Sequence, residues 1–363
     1  MTEHTKPANV ALVGCGAVTK SYYVPALKRL EQLGTIKVTV AFDPNAGRSE
    51  QTAANFQTCL AVQDLDSVTS SNTDLAVIAS PNNYHAEQAL VLLGRDISVL
   101  AEKPISTDVD AAQAMISKAN TAGKVLSVGH IRRFFPACKT IADILASGIF
   151  GKVTRFSFTE GGPFQWSLQS PSLFTSDTAG GGILMDVGPH ALDLLVWWLG
   201  EPDHMAYADD AMGGLEANCT IRLTYERGFQ GEIKLSRDCA LSNTYEIECE
   251  RGWLSWAVGE TNRVSIGLHD VDVSLRSDIH EKIGETGTGP ISADFQQAFM
   301  NQLLNVVHAV QNNAQLVVPG EEALRSLRLI ERCYGQRSLL SMPWLTEPEL
   351  VQAAVLNQRR RSC

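Results

Sequence analysis

The chain has 363 residues, 44% of them hydrophobic and 19% charged, with a formal net charge of −10. A chain of this length splits into domains rather than growing one core, and its composition is that of a folded protein, not a disordered one. The acidic balance, with no clustered basic run, excludes a nucleic-acid or anionic-membrane surface.

No stretch approaches 18 unbroken apolar residues, and the first residues, MTEHTKPAN, carry neither a basic nor an apolar leader. A cytoplasmic, unanchored protein is expected. Cys15, Cys59, Cys138, Cys219, Cys239, Cys249, Cys333 and Cys363 show no C-x-x-C or Cys/His zinc spacing and read as reduced, mostly buried thiols.

From residue 9, short apolar runs alternate with helical patterns: VALV (10–13), KVTVAF (37–42), DLAVIAS (74–80), ISVLAE (97–102) and VLSVG (125–129). Strands spaced by helices imply right-handed crossovers and a doubly wound parallel sheet. The first strand runs into Gly14, Cys15, Gly16, Ala17, Val18 and Thr19, followed by the helical stretch SYYVPALKRLEQL. There the first glycine permits a tight turn, the second lets backbone approach a pyrophosphate, and the helix N-terminus favours the anion. Thr19 stands where a glycine or alanine is usual, so the motif alone does not decide.

The second strand ends at Asp43, where a carboxylate can accept hydrogen bonds from an adenosine ribose and repel a 2′-phosphate. This favours NAD, with Arg48 near enough in sequence to keep NADP open. The plainer role for Asp43 is a turn former before Pro44. Two more strand ends carry polar groups where ligands gather in open parallel sheets: Ser80, Pro81, Asn82, Asn83, Tyr84 and His85, then Glu102, Lys103 and Pro104. The expected cofactor contacts are therefore Gly14, Gly16, Ala17, Val18, Asp43, Arg48, Ser80, Pro81, Asn82, His85, Glu102 and Lys103. A cationic amine at Lys103 suits polarising a carbonyl or moving a proton. Arg132 and Arg133 leave the last of these strands, suited either to an anionic substrate or to a salt bridge.

After residue 150 the pattern changes to strand candidates at 152–160, 216–226, 228–236, 244–250, 252–258 and 264–275, several alternating as a sheet with one wet face does. No low-complexity linker marks the boundary near Arg132, which reads as a packed junction. Gln165 and Trp166, in the loop 161–170, suit sugar contact or packing equally. The run DDAMGGLEAN (209–218) reads as a solvated turn. Gly180, Gly181 and Gly182 precede DVGPHALDLLVWWLG (186–200), a helix-length segment in which Asp186, His190, Asp193 and Trp197 fall at i, i+4, i+7 and i+11, on one face. Asp193 suits substrate contact, orientation of His190 or a structural ion pair, and Trp197 suits packing. No further ligands converge on these residues, so no metal site is expected.

Together VGCGAV, SPNNYH, AEKP, VGHIRRFFP and GGGILMDVGPHALDLLVWWLG resemble the glucose-fructose oxidoreductase / inositol dehydrogenase / MocA family of NAD(P)-dependent oxidoreductases, and GEEALRSLRLIERCY (320–334) resembles that family's returning C-terminal helix. The resemblance implies a Rossmann domain over 1–131. It also implies an α+β domain over 132–363 with a large, mostly antiparallel open sheet and a helix, 320–338, packing back. It implies Lys103, Asp186 and His190 as catalytic residues, the histidine as general base, with substrate contacts from Lys103, Arg132, Trp166, Asp186, His190 and Asp193. The implied partners are a small carbohydrate-like substrate and a second copy or more, as a homodimer or homotetramer through the C-terminal sheet. The implied activity is hydride transfer between a secondary hydroxyl and a ketone on a sugar or polyol. Two alternatives stand beside that activity: a redox-assisted glycosidase holding NAD, which the same residues suit, and a silent NAD-binding regulator, which predicts loss of the lysine or histidine, both of which are present.

Overall fold

The computed structural model describes residues 6–165, 174–270, 274–278, 295–311 and 314–358. They fall into two compact units: 6–134 with 295–311 and 314–324, and 135–165 with 174–270, 274–278 and 325–358.

The first unit holds a six-stranded sheet of β1 (Ala8–Val13), β2 (Ile36–Phe42), β3 (Leu60–Val62), β4 (Leu75–Ile78), β5 (Ser98–Ala101) and β6 (Leu126–Val128). Every pairing is parallel, in the order β3-β2-β1-β4-β5-β6. This is the doubly wound order, in which the strand order reverses between β1 and β4 and leaves a crevice at their carboxyl ends. β4 and β5 are buried along their whole length, which is why they read as continuous apolar runs rather than alternating ones. Four helices join these strands: α1 (Val24–Gln32), α2 (Ala46–Ala53), α3 (His85–Gly94) and α4 (Val109–Ala122).

Two features depart from the sequence expectation. The edge strand β3 has only three residues, none of them buried, and so carries no periodic signal. The segment expected as one helix from Ser21 instead opens with a π-helical turn, Thr19–Tyr23, before α1. Pro25, at the start of α1, has no N–H to continue the ladder of hydrogen bonds across that point.

The second unit holds a nine-stranded sheet of β7 (Val153–Gly161), β8 (His204–Asp209), β9 (Asn218–Tyr225), β10 (Phe229–Ser236), β11 (Thr244–Cys249), β12 (Gly252–Ala257), β13 (Arg263–Leu268), β14 (Ser274–Asp278) and β15 (Arg337–Leu339). Its order is β14-β13-β12-β11-β7-β10-β9-β8-β15, antiparallel except for the pairs β7–β10 and β8–β15. Alternation assigns the two faces. Cys219, Ile221, Leu223 and Tyr225 of β9 are buried, as are Tyr245, Ile247 and Cys249 of β11, while Arg222, Thr224, Glu246 and Glu248 are exposed. On the open face, Arg222 stands opposite Glu232, and Arg155 opposite Glu248. Such opposite-charge pairs keep an uncovered face in register.

The helices of this unit are α5 (Pro136–Ser147), α6 (Ser176–Ala179), α7 (Ile183–Asp186) and α8 (Gly188–Leu199), and a further three helices follow in the chain: α9 (Phe295–Val310), α10 (Gly320–Gly335) and α11 (Glu347–Gln358). Trp198 of α8 fixes the helix to the buried sheet face. Its ring lies 5.8 Å from Phe158, 6.4 Å from Tyr245 and 6.3 Å from Trp256, and its Nε1 donates to Cys138 O at 3.0 Å. α9 belongs to the first unit, where Phe299 stacks on Tyr22 at 4.9 Å.

Three local expectations are corrected here. The strand expected at 264–275 is the hairpin β13–β14, whose residues 271–273 lie outside the described residues. The helix expected to reach 338 ends at Gly335, and Arg337–Leu339 form the edge strand β15. The run 209–218 is no solvated turn: Asp209 and Glu216 are buried and only Met212, Gly213 and Gly214 are exposed. The acidic ends that make the run look solvated find buried partners far away in the sequence. Trp166, Arg359, Arg360, Arg361 and Cys363 lie outside the described residues. Among the described residues no helix is long and apolar enough to cross a membrane, and no group of three His, Cys, Asp or Glu residues is placed to hold a metal ion.

Candidate active site

At the carboxyl end of β1 the chain turns at Gly14, with φ of +93° and its N–H donating to Phe42 O at 2.8 Å. A Cβ there would lie 2.6 Å from Ser80 N and 2.8 Å from the carbonyl carbon of Ala79, so the turn packs directly on the backbone leaving β4. Gly16 is the opposite case: a Cβ would meet nothing within 4 Å. Gly16, Ala17 and Val18 are half-exposed where the helical segment begins, and the N–H groups of such a first turn lack intrahelical partners. An open glycine face beside those donors fits a dinucleotide pyrophosphate. Thr19 is buried, and its hydroxyl donates to Gly14 O at 2.6 Å, closing the turn with a side chain where glycine or alanine would only pack closely.

Asp43 is buried beside this turn. Its Oδ2 accepts from Cys15 N–H at 2.9 Å and its Oδ1 from Asn45 N–H at 2.9 Å. The carboxylate therefore ties the glycine turn to the end of β2 and also forms the turn before α2, leaving further lone pairs for a ribose. Arg48 sits half-buried in the first turn of α2, which Asn45 caps. Cys15 is fully buried, with Sγ 3.5 Å from Phe42 O, and burial pushes its thiol up to about 11. At pH 8 about one thiolate in a thousand is expected from such a value. Thiol-reagent mapping of the native protein should thus label the exposed Cys239 first and leave Cys15 unmodified until unfolding. Labelling of Cys15 at a rate matching Cys239 would contradict the closed turn.

His85 is buried, with Nδ1 2.8 Å from Pro104 O and Nε2 2.9 Å from Ser80 O. A neutral imidazole has one N–H to donate, so only one of the two carbonyls can accept from it at a time. Burial lowers its proton affinity and the two carbonyls oppose that. His85 thus links the two strand-end loops from beneath. Ser80 Oγ meets Gln88 Oε1 at 2.7 Å, and Asn82 opens a short 3₁₀ turn after Pro81.

Glu102 is turned inward as an anchor. Its Oε1 accepts from Tyr23 Oη at 2.7 Å and its Oε2 from Lys103 N–H at 3.1 Å, and burial raises its carboxyl. Tyr23 Oη in turn accepts from Gln302 Nε2 of α9 at 3.2 Å. The backbone of Lys103 is thereby held by the π-helical turn that follows the glycine turn. Arg132 lies half-buried in the turn after β6. Arg133 pairs with Glu322 at 3.2 Å, inside the first unit.

In the second unit, the segment expected as one helix from Asp186 is broken. α7 ends at Asp186, Val187 intervenes, and α8 restarts at Gly188 with Pro189 in its first turn. The regular face is therefore interrupted between Asp186 and His190, although the two stay four residues apart. In α8 every residue is buried except His190 and Trp197. Asp193, suited by its spacing to substrate contact, orientation of His190 or an ion pair, is only 2% exposed.

Sequence reasoning misses Arg237. It follows β10, and its Nη2 donates to Asp186 Oδ2 at 3.2 Å, forming an ion pair. Its guanidinium lies 5.9 Å from the Phe164 ring and 5.1 Å from the Phe174 ring. A strand-end arginine is visible in the sequence, but its partner 51 residues earlier is not.

Two family models match the chain: "Oxidoreductase family, NAD-binding Rossmann fold" over residues 8–130, and "GFO/IDH/MocA C-terminal domain" over residues 138–255. Inositol 2-dehydrogenase 4 of Saccharopolyspora erythraea is 24% identical over 302 residues, covering 81% of this chain and 82% of that protein. Among solved structures, levoglucosan dehydrogenase in complex with NADH and levoglucosan has a TM-score of 0.78 at 16% identity, covering 91% of this chain and 97% of that one. KijD10, a 3-ketoreductase from Actinomadura kijaniata in complex with NADP and TDP-benzene, has a TM-score of 0.76 at 20% identity, covering 93% and 100%.

Proposed function

Since the chain belongs to the GFO/IDH/MocA family of NAD(P)-dependent oxidoreductases, we propose that it interconverts a secondary hydroxyl and a ketone on a sugar, polyol or sugar derivative. The observation that carries the reading is α8, a helix buried everywhere but at His190 and Trp197, with Asp186 just before it. A histidine that is only partly buried in an otherwise buried helix can be reached from outside the core.

NAD(P), when bound, would supply the hydride acceptor or donor. Everything else falls to the chain. As the C–H electron pair leaves as hydride, the substrate O–H must lose its proton, and a neutral His190 imidazole takes it. The Lys103 ammonium, on a backbone whose N–H donates to Glu102, is the group proposed to stabilise the developing negative charge on that oxygen. Asp186, paired with Arg237, orients this group. In the reverse direction His190 returns the proton and the ketone is reduced.

In this reading residues 1–131 form the cofactor domain and 132–363 the substrate domain. Gly14, Gly16, Ala17 and Val18 would hold the pyrophosphate, and Asp43 would accept from the ribose. Ser80, Pro81 and Asn82 line the cofactor side, with His85 and Glu102 holding that edge in place. Asp43 favours NAD, and Arg48 leaves room for NADP, in keeping with relatives described with either cofactor. Arg132 is the remaining substrate contact proposed from the first unit. The open polar face of the nine-stranded sheet is where a second copy would pair, as a homodimer or homotetramer.

The test joins fluorescence titration of NADH and NADPH with a cofactor-reduction screen over inositols, aldoses, sugar acids and nucleotide sugars. Saturable binding and net reduction with at least one of these classes are expected. Tight binding without reduction by any class would overturn the reading, and release of a leaving group without net reduction would replace it with a redox-assisted glycosidase.

A further inference from the structure

The tract Gly180–Gly182 leads directly into α7, and two of its glycines have no room for a side chain. A Cβ at Gly181 would lie 2.1 Å from Tyr334 Oη, and one at Gly182 would lie 2.1 Å from Glu216 O. Glu216 is what the backbone closes on. Its Oε1 accepts from Gly182 N–H at 2.9 Å, Leu184 N–H at 3.2 Å and Tyr334 Oη at 2.7 Å, and its own carbonyl accepts from Ile183 N–H at 2.9 Å. A carboxylate thus occupies the start of the segment that carries Asp186.

The carboxylate is held in turn from the C-terminal part of the chain. Arg337 of β15 donates through Nη2 to Glu216 Oε2 at 3.2 Å and through Nε to Asp209 Oδ2 at 2.6 Å, and its guanidinium lies 4.9 Å from the Tyr334 ring. Asp209 Oδ1 accepts from Asn357 Nδ2 of α11 at 2.8 Å and from Ala211 N–H at 3.1 Å. Glu216, Asp209 and Arg337 are 1%, 0% and 3% exposed, and burial raises the Glu216 carboxyl and pushes the Tyr334 hydroxyl well above its ordinary range. Burying three ionisable groups costs more than an apolar filling of the same volume would. What a saturated polar cluster offers in return is directional: each partner is fixed by geometry, not only by volume.

We propose that Glu216, Tyr334, Arg337 and Asp209 form a positioning device for the Asp186–His190 segment. Through it the C-terminal elements α10, β15 and α11 set the register of α7 and hence of the groups that follow it. None of the four touches substrate. The inference rests on the reaction proposed above, in which Asp186 and His190 handle the substrate proton.

Once the wild-type enzyme has a substrate from the reduction screen, Tyr334→Phe and Glu216→Gln test the device. Tyr334→Phe keeps the ring under Arg337 and removes one donor. Glu216→Gln keeps an oxygen for the Gly182 and Leu184 N–H groups but turns a donor toward Arg337. Each is expected to lower kcat about 10-fold, the worth of one hydrogen bond to a charged group, with substrate KM and NADH affinity within about twofold. Glu216→Ala should lose more than Glu216→Gln. Hydrogen exchange should quicken in peptides spanning 182–187 and not in β1–β6. Wild-type kcat in a folded Tyr334→Phe variant would overturn the proposal. So would loss of exchange protection throughout the second unit in both conservative variants, which would make the cluster a folding element without a positioning role. A wild-type enzyme that binds NADH but turns over nothing would instead defeat the proposed reaction.

Discussion

Replacing His190 with alanine is expected to lower kcat by about 10²- to 10⁴-fold, the range that a positioned general acid or base contributes. The fold should tolerate the change. His190 lies half-buried near the start of α8, the rest of the helix stays packed through Trp198 and its apolar neighbours, and alanine is the best helix former. NADH binding should also survive, because every expected cofactor contact lies in the first unit and His190 in the second. The variant should therefore bind cofactor, melt close to wild type and fail at turnover, with added imidazole restoring part of the rate by supplying the missing base. Asp186→Asn should be milder than His190→Ala, since it removes an orienting charge and leaves the base. Full turnover by His190→Ala on the wild-type substrate would sink the proton-handling role and move the search to another group on the same segment.

What could be read from the sequence was whatever depends on neighbours along the chain. β1, β2, β4, β5 and β6 announce themselves as short apolar-rich runs spaced by helices, because parallel strands are buried on both faces over most of their length, and the glycine turn stands out because its backbone needs are local. Lys103 and His190 could be named as candidates for the same reason, one at a strand end before a proline and one amid leucines. Where partners are distant, the sequence is silent. β3 and β15 have three residues each, too few for a period, and they exist because a neighbouring strand offers an edge. The start of α7 is held by a cluster whose members are up to 148 residues apart, and Arg337 reaches Glu216 across 121 positions. Asp209 and Glu216 look solvated in the sequence because nothing nearby pairs with them. The triple glycine was visible, but its cause was not: a flexible hinge and a surface pressed by a carboxylate read alike until the carboxylate is placed.

Substituting Gly14 and Gly16 separately should split fold from cofactor binding. Gly14→Ala forces a side chain onto a residue with φ of +93° and drives its Cβ to 2.6 Å from backbone at Ser80. Neither atom can move freely, because β1 and β4 are paired through Val13 and Ile78 just before these residues. Backbone strain and overpacking together should cost about 3 kcal/mol or more, lowering the melting temperature by about 6–12 °C. NADH affinity should fall with it, since the displaced Ser80 loop belongs to the same edge. Gly16→Ala makes the opposite prediction. Its φ is not positive and a Cβ meets nothing within 4 Å, so the melting temperature should stay within about 2 °C of wild type. The new methyl nevertheless occupies the face on which a pyrophosphate must lie, and NADH affinity should drop about 10-fold or more. Calorimetry and fluorescence titration of the two variants separate the effects. If Gly16→Ala bound NADH as wild type does, the open face at Gly16 would not be the pyrophosphate site, however well the turn around Gly14 fits one.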